Sequence, residues 1–227
     1  MTSPARTDPA TTASPELNLT VENAHAGKFA AVPTLGFDLR VERLDGGAVR
    51  SVALNTQVRI AATNRSYAPG EQERLVELFG LPEQWGKTLR SLLWTNVTTN
   101  VPPFKGSTVF ELTIPATYDL EVLAAKYFQA LETGEIPLEF LFSGNVFYTD
   151  PTGRLQVAAI SWDREAECPL PVSVWREMMT LYFGDSPWMR LRRESFYRLY
   201  AYKARHALPT WDHAVEALLS KAEQEEE

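Results

Sequence analysis

Three carboxylates in the segment "WDREAEC" have a spacing that could support metal chemistry. Asp163, Glu165 and Glu167 lie at i, i+2 and i+4, so an extended chain would place them on one face over roughly 13 Å. Such a row could hold a divalent cation, because hard cations take oxygen ligands, or it could dock arginines. The ordinary interpretation is the solvated face of an edge strand, where charge discourages aggregation. We therefore predict no metal here, and these three are the candidates if one binds.

The other reactive side chains lack a partner nearby in the sequence. The three histidines, His25, His206 and His213, form no metal-ligand spacing. We expect His206 to be partly buried on the apolar side of a helix. The single cysteine, Cys168, permits no intrachain disulfide, has no adjacent histidine to activate it, and is expected to be a buried thiol. Nucleophile-elbow and phosphate-loop motifs are missing, so the sequence predicts neither catalytic residues nor a cofactor.

The stretch "PWMRLRRESFYRLYAYKARH" (187–206) combines basic and aromatic residues. On a helical wheel its aromatic and leucine side chains gather on one arc, and Arg192 and Lys203 project within that arc. Glu194 lies four residues from basic neighbours on the opposite, solvated side. The favoured interpretation is an amphipathic helix turned toward the protein's own core. The alternatives are a protein-binding face and a platform on which nucleic acid stacks.

The overall charge argues against nucleic acid as a partner. Acidic residues outnumber basic ones by 29 to 22, which gives a formal net charge of −7, whereas phosphate-backbone binding depends on many Lys and Arg. We find no apolar run near the roughly 18 residues of a membrane helix, and no apolar core of a signal peptide in "MTSPARTDPATTASPE". We expect a soluble, cytoplasmic protein without membrane insertion.

The elements that must position these residues begin with amphipathic strands. Alternating apolar and polar residues indicate half-buried strands, with turn chemistry at 45–47 and 149–153. The predicted strands are "LNLTVE" (17–22), "TLGFDLRVERL" (34–44), "SVALNTQVRI" (51–60), "STVFELTIP" (107–115), "IPLEFLFSGNVFY" (136–148) and "RLQVAAISW" (154–162). Short connections between such strands predict antiparallel pairing.

Helical spacing interrupts the strands and then dominates the C-terminal part. A first helix should stop at Gly80, and Pro82 should start a second one that turns Trp85, Leu89, Leu92 and Leu93 inward. Residues 119–131 fit a helix better than the alternative, a strand continuing from Ile114. Three helices should follow: 172–183, one capped by Ser186 with Pro187 at its first position, and one capped by Thr210.

These elements predict an α+β fold: an antiparallel β-sheet or sandwich body with a helical insertion and three C-terminal helices. We expect a disordered N-terminal tail over 1–15, a single domain over 16–222 and an acidic C-terminal tail over 223–227, with disorder beginning after about residue 221.

Three segments together resemble an uncharacterised actinobacterial family, a domain of unknown function. They are "RLVELFGLPEQWGKTLRSLLW", "ATYDLEVLAAKYFQALETGEIPLEFLFSGNVFY" and "LPVSVWREMM". The resemblance covers the chain from about residue 17 to the C-terminal helices. It implies a setting among the genes of uptake [NiFe]-hydrogenases and their accessory proteins, and it implies no catalytic residues.

The sequence supports two hypotheses of different classes. The first is a non-enzymatic accessory or assembly protein that binds a protein partner, such as a hydrogenase subunit or maturation factor; a permanent structural subunit would differ only in stoichiometry. Its contacts would be Trp85, Trp94, Trp188, Arg192 and Lys203. The second is an enzyme or small-ligand binder with a site between the sheet and the helical insertion. The candidate site residues, chosen only by residue type, are Tyr118, Asp119, Asp163, Glu165 and His206.

Overall fold

The structure is a computed structural model that describes residues 14–28, 30–116, 123–184 and 191–226. Its strands are β1 (Leu17–Ala26), β2 (Thr34–Arg43), β3 (Ala48–Ile60), β4 (Leu92–Val101), β5 (Phe104–Lys105), β6 (Ser107–Pro115), β7 (Glu135–Thr149), β8 (Leu155–Ala159) and β9 (Glu165–Pro171). Its α-helices are α1 (Pro69–Phe79), α2 (Trp85–Thr88), α3 (Leu123–Ala130), α4 (Val172–Phe183), α5 (Arg193–Arg205) and α6 (Trp211–Glu226). The predicted α+β class is confirmed.

Two antiparallel sheets form the body of the protein. The smaller sheet has the order β1-β2-β6, and the larger has the path β4-β3-β7-β8, with β5 added to β3 and β9 added to β7. Alternate side chains of β2 are fully buried, as the period of two requires. The Phe37 ring of β2 meets the Phe140 ring of β7 at 5.2 Å between centroids, so the inner faces of the two sheets pack together as a sandwich.

Three helices extend this core. Buried side chains of α1, α3 and α4 join the same hydrophobic cluster as both sheets. Phe128 of α3 lies 4.6 Å from Trp175 of α4 and 5.1 Å from Trp94 of β4, measured between ring centroids. The helix predicted over 119–131 is confirmed as α3 for the residues that are described, and residues 117–122 lie outside them.

The second helix of the predicted insertion is largely wrong. After a 3₁₀ turn at Pro82–Gln84, α2 lasts only four residues, and Leu92 begins β4. Leu92 is buried as predicted, but Leu93 is 53% exposed because successive side chains of a strand point to opposite faces. The run "TNVTTNV" that follows contains β-branched residues typical of strands, and it pairs with β3 along its length.

The described residues fall into two compact units, one ending with α4 and the other containing α5 and α6. The single domain over 16–222 stays a prediction. The disordered tail expected over 1–15 lies almost wholly outside the described residues, whereas α6 continues to Glu226, beyond the point at which disorder was expected. No helix in the described ranges is both long and apolar enough to cross a membrane.

Helix α5 departs from its prediction in two ways. It begins at Arg193, and Leu191 and Arg192 precede it without helical structure; Ser186 and Pro187, the expected start, lie outside the described residues. None of its residues is buried. The expectation that this stretch faces a core is therefore wrong for α5 within the second unit, where α6 packs beside it without burying any of its residues. Thr210 caps α6 as predicted, accepting a 3.2 Å hydrogen bond from the backbone N–H of His213.

Candidate protein-binding surface on the C-terminal helices

Two of the predicted partner contacts are held by the aromatic core of the first unit. Trp85 packs edge-on against Tyr67 and donates its indole N–H to the Gly80 carbonyl at 2.8 Å. Trp94 lies 6.3 Å from Phe37 between ring centroids. Both tryptophans are half-buried, so packing accounts for each of them. Their role in partner binding stays a prediction.

The first unit also buries an ion pair that the sequence analysis did not identify. Glu71 is 2% exposed and accepts a 2.6 Å hydrogen bond from Arg65. Its carboxylate also accepts the backbone N–H groups of Glu132 and Ala68. Burial alone would raise the pKa of Glu71, but these donors outweigh it and lower the pKa below its ordinary value. The available sequence signal was Pro69 followed by an acid at the third helical position, which is half of a capping box.

Two tyrosine hydroxyls meet beside this ion pair. The Tyr67 and Tyr127 oxygens are 2.7 Å apart, and Tyr67 donates its proton to the Ala62 carbonyl at 2.6 Å. Because a hydroxyl has only one proton, Tyr127 must donate to Tyr67. Burial raises the pKa of both phenols. This pair holds neutral donors and acceptors in fixed positions, which is a structural role.

Removing either hydroxyl should have unequal effects. Tyr67→Phe deprives the buried Tyr127 of its acceptor and Ala62 of its donor, so we expect a loss of about 2 kcal/mol in the free energy of unfolding. Tyr127→Phe removes one donor and leaves the Tyr67–Ala62 bond, so we expect about 1 kcal/mol. Urea denaturation measures both. A larger loss for Tyr127→Phe than for Tyr67→Phe would contradict this assignment of donors and acceptors.

The carboxylates of "WDREAEC" do not form the row that an extended segment would give. Glu165 and Glu167 lie on the exposed face of β9, as the edge-strand interpretation predicts, but Asp163 lies in the turn before the strand. A hydrogen bond from Ser161 lowers the pKa of Asp163.

On the opposite sheet, His25 lies 3.7 Å from Asp38 and 3.8 Å from Glu111. Within the described ranges, no group of three or more His, Cys, Asp or Glu side chains is placed to hold a metal ion.

Among the described residues, the candidates for an enzymatic site do not lie close together. Tyr118 and Asp119 lie outside those residues, and Asp163 and Glu165 are exposed. The expectation that His206 is partly buried is wrong: it is exposed and ends α5, with its ring 4.4 Å from that of Tyr202. Cys168 is buried as expected, and burial, followed by the nearby Glu135 charge, raises the pKa of its thiol.

A cavity of about 250 Å³ lies in the first unit, where α3 and α4 meet the sheets. Its walls include Trp94, Phe128 and Trp175, with alanine, proline and threonine side chains completing them. None of the described residues that line it is titratable, so these residues alone do not supply the converging acid and base groups that the hypothesis of an enzyme requires.

Exposed aromatic side chains cluster on the helical pair of the second unit. Phe196 is 41% exposed, Tyr197 61%, Tyr200 55% and Trp211 40%. The Trp211 ring lies 5.3 Å from Phe196 and 6.2 Å from Tyr200 between centroids. Lys203, one of the predicted contacts, places its ammonium 5.7 Å from the same ring, within cation–π range. We call these four aromatic residues the aromatic face. Of the remaining predicted contacts, Arg192 is exposed just before α5, and Trp188 lies outside the described residues.

A groove of about 700 Å³ runs between α5 and α6. The exposed Arg198 and Arg205 line it, together with Ser195 and an apolar set: Leu191, Leu199, Ala201, Tyr202, Val215, Leu218 and Leu219. Tyr200 and Tyr202 are two residues apart on α5 and therefore point in directions about 160° apart. The groove and the aromatic face are thus different surfaces of the same helix. Sequence analysis identified the aromatic residues but not the groove, because α6 forms half of it.

Comparison with known proteins gives a family without a function. A family model described as a family of unknown function (DUF6084) matches residues 14–227. Among curated proteins, none has a matching sequence.

Solved structures show only a distant likeness. The CARDB domain of the PF1109 protein from Pyrococcus furiosus, crystallised in complex with di-metal ions, is 14% identical, with a TM-score of 0.27 over 69% of this chain and 92% of that one. A solution structure of the same domain gives 13% identity and a TM-score of 0.22, over 65% of this chain and 94% of that one. A β-glucosidase from Kluyveromyces marxianus is 9% identical, with a TM-score of 0.23 over 69% of this chain and 15% of that one. At such scores the likeness carries no functional argument.

Proposed function

Since the chain belongs to DUF6084, a family of unknown function, we propose a function from its surfaces: a non-enzymatic accessory protein that binds a protein partner through its aromatic face. The carrying observation is the exposure of Phe196, Tyr197, Tyr200 and Trp211 side by side on α5 and α6. Single exposed aromatics are common, but contiguous ones with a cation beside them have the composition of binding hot spots.

The same surface is suited to a protein more than to nucleic acid. Tyrosine and tryptophan supply a large rigid contact area at a low cost in side-chain entropy. The net charge of the chain is −7, which opposes a polyphosphate partner. The resemblance to an actinobacterial family found among hydrogenase genes supports a cytoplasmic partner, either a [NiFe]-hydrogenase subunit or a maturation factor.

A comparative pull-down tests this proposal. The tagged full-length chain, expressed in its native host, should capture a hydrogenase subunit or maturation factor. The double variant Tyr197→Ser/Tyr200→Ser should capture at least about tenfold less, because hot-spot aromatics typically contribute more than 1 kcal/mol each. Both positions are more than half exposed, so the fold should survive, and circular dichroism checks that it does.

Trp162→Ser is the matched control. Trp162 is 92% exposed and lies in the first unit, so its removal deletes an exposed aromatic without touching the aromatic face. Capture should be unchanged in this variant. Recovery of no specific protein, or equal loss in the control and the double variant, would contradict the proposal. Size-exclusion chromatography of the co-expressed proteins then separates two roles of this chain: an assembly factor leaves the mature enzyme, whereas a structural subunit co-elutes with it in a fixed ratio.

A further inference from the structure

We infer that the groove between α5 and α6 is a self-association surface, covered by the same groove of a second copy of this chain. The inference is independent of the proposed function, since the aromatic face lies on another side of α5. Three observations carry it: the apolar lining of the groove, the opposite charges of the two helices that form it, and the size of the surface.

The groove leaves apolar surface in water. Leu191 is 37% exposed, Leu218 40% and Leu219 53%, and half-buried Leu199, Tyr202 and Val215 lie between them. Burial of such side chains is the main favourable term in association. A pair of helices with an apolar seam on one side commonly buries it against a second pair, as in four-helix bundles.

The two helices carry opposite charges, which makes the surface complementary to itself. Helix α5 contains Arg193, Arg198, Lys203 and Arg205 against a single acid, Glu194. Helix α6 contains Asp212, Glu216, Glu223, Glu225 and Glu226 against a single base, Lys221. In a two-fold dimer the same patch must serve both copies. The basic helix of one copy can then face the acidic helix of the other.

Charged residues of both signs border the apolar lining. Arg198 and Arg205 line the groove directly. Glu216 and Glu223 lie three residues before and four residues after Leu219, which makes them its neighbours on the surface of α6. All four are exposed. Pairing α5 with the partner's α6 brings opposite charges together, whereas pairing like helices sets arginines against arginines, so the charge pattern selects one orientation.

The size of the surface sets the expected strength. Helices of 13 and 16 residues are about 20 and 24 Å long, so two adjacent helices offer a face of roughly 20 by 20 Å. That is about half of the ~800 Å² that each partner buries in a standard interface. We therefore expect a reversible dimer with a dissociation constant in the micromolar range rather than a permanent one.

Sedimentation velocity of the full-length chain, from about 5 to 300 µM, tests the inference. The wild type should shift from monomer to dimer across this range. Leu218→Glu/Leu219→Glu should raise the dissociation constant at least about thirtyfold, because it places four carboxylates in the apolar seam of a dimer. Val32→Glu, at a 51% exposed valine of the first unit, is the matched control and should dimerise like the wild type.

Charge reversal tests the orientation. Arg198→Glu/Arg205→Glu and Glu216→Lys/Glu223→Lys should each dimerise about tenfold more weakly than the wild type, since like charges then face each other. An equimolar mixture of the two variants should recover a heterodimer within about threefold of wild-type strength. A mixture that associates no better than either variant alone would overturn the pairing of α5 with α6.

Other occupants of the groove give distinct results, each of which contradicts the inference. A wild type that stays monomeric at 300 µM would show that a second copy does not cover the groove. A dimer that survives Leu218→Glu/Leu219→Glu would place self-association elsewhere. If that variant instead loses partner capture while the wild type stays monomeric, the groove contacts the partner, which rules out the dimer and shows that the aromatic face is not the whole partner-binding surface.

Discussion

Replacing Glu71 with glutamine should lower the free energy of unfolding by about 3 kcal/mol, because it leaves the buried charge of Arg65 without a counter-charge. The Arg65 side chain is 9% exposed and that of Glu71 2%, so water can screen neither group. Glutamine keeps the size of the side chain but offers one acceptor oxygen, whereas the carboxylate accepts from Arg65 and from two backbone N–H groups. Urea denaturation of the purified chain measures the loss.

The neighbouring pair Arg74–Glu132 is the matched control. Its side chains are 46% and 51% exposed, and exposed pairs contribute between zero and about 1 kcal/mol. Glu132→Gln retains the backbone N–H that donates to Glu71, so its cost should stay within about 0.5 kcal/mol. Equal losses in Glu71→Gln and Glu132→Gln would show that the buried pair does not stabilise the fold.

The same pair makes a prediction about acid. The pKa of Glu71 is lower in the folded chain than its ordinary value of 4.5, so its contribution is present above that value and is lost as the pH falls through the folded pKa. The wild type should therefore lose more stability as the pH falls below 4.5 than Glu71→Gln does. Unfolding free energies at pH 7 and at a series of pH values below 4.5 provide the test. Parallel pH profiles would contradict it.

The strands were predictable because one face of each is buried. In β2, the alternate residues Leu35, Phe37, Leu39 and Val41 are all fully buried, and this period is visible without any knowledge of the partner strands. β4 was not predictable in the same way. The apolar residues Leu89, Leu92 and Leu93 fit helical spacing. The segment is extended because it pairs with β3, whose paired residues lie more than thirty positions earlier in the chain.

The candidate surface was predictable in composition but not in placement. The basic and aromatic residues of 187–206 were visible in the sequence, yet a wheel of α5 alone cannot show that Trp211 of α6 completes the aromatic face or that Leu218 and Leu219 form one wall of the groove. The ion pair Arg65–Glu71 was missed for a related reason. Two of its backbone partners, Thr133 and Glu135, come from a segment more than sixty residues later in the chain.

Gly144→Ala should be among the most destabilising single substitutions in the body of the protein, at about 4 kcal/mol. Gly144 lies inside β7, in the segment "LFSGNV", with a φ of +134° that L-residues rarely adopt. A Cβ atom there would lie 2.0 Å from the carbonyl oxygen of Ala53 in the neighbouring strand β3. Because that contact is with backbone, no side-chain rotation can relieve it, and backbone strain of about 1–3 kcal/mol adds to overpacking of about 1–3 kcal/mol.

Gly153→Ala separates the two terms. Gly153 also has a positive φ, +86°, but no atom lies within 4 Å of its would-be Cβ, so only backbone strain remains and the cost should be about 1–2 kcal/mol. Chemical denaturation of both variants gives the difference. If Gly144→Ala fails to fold while Gly153→Ala folds, the ranking holds; if the two cost the same, the close approach of β3 to β7 does not limit the residue at 144. The glycine is thus explained by contact between two strands that pair through the centre of the larger sheet.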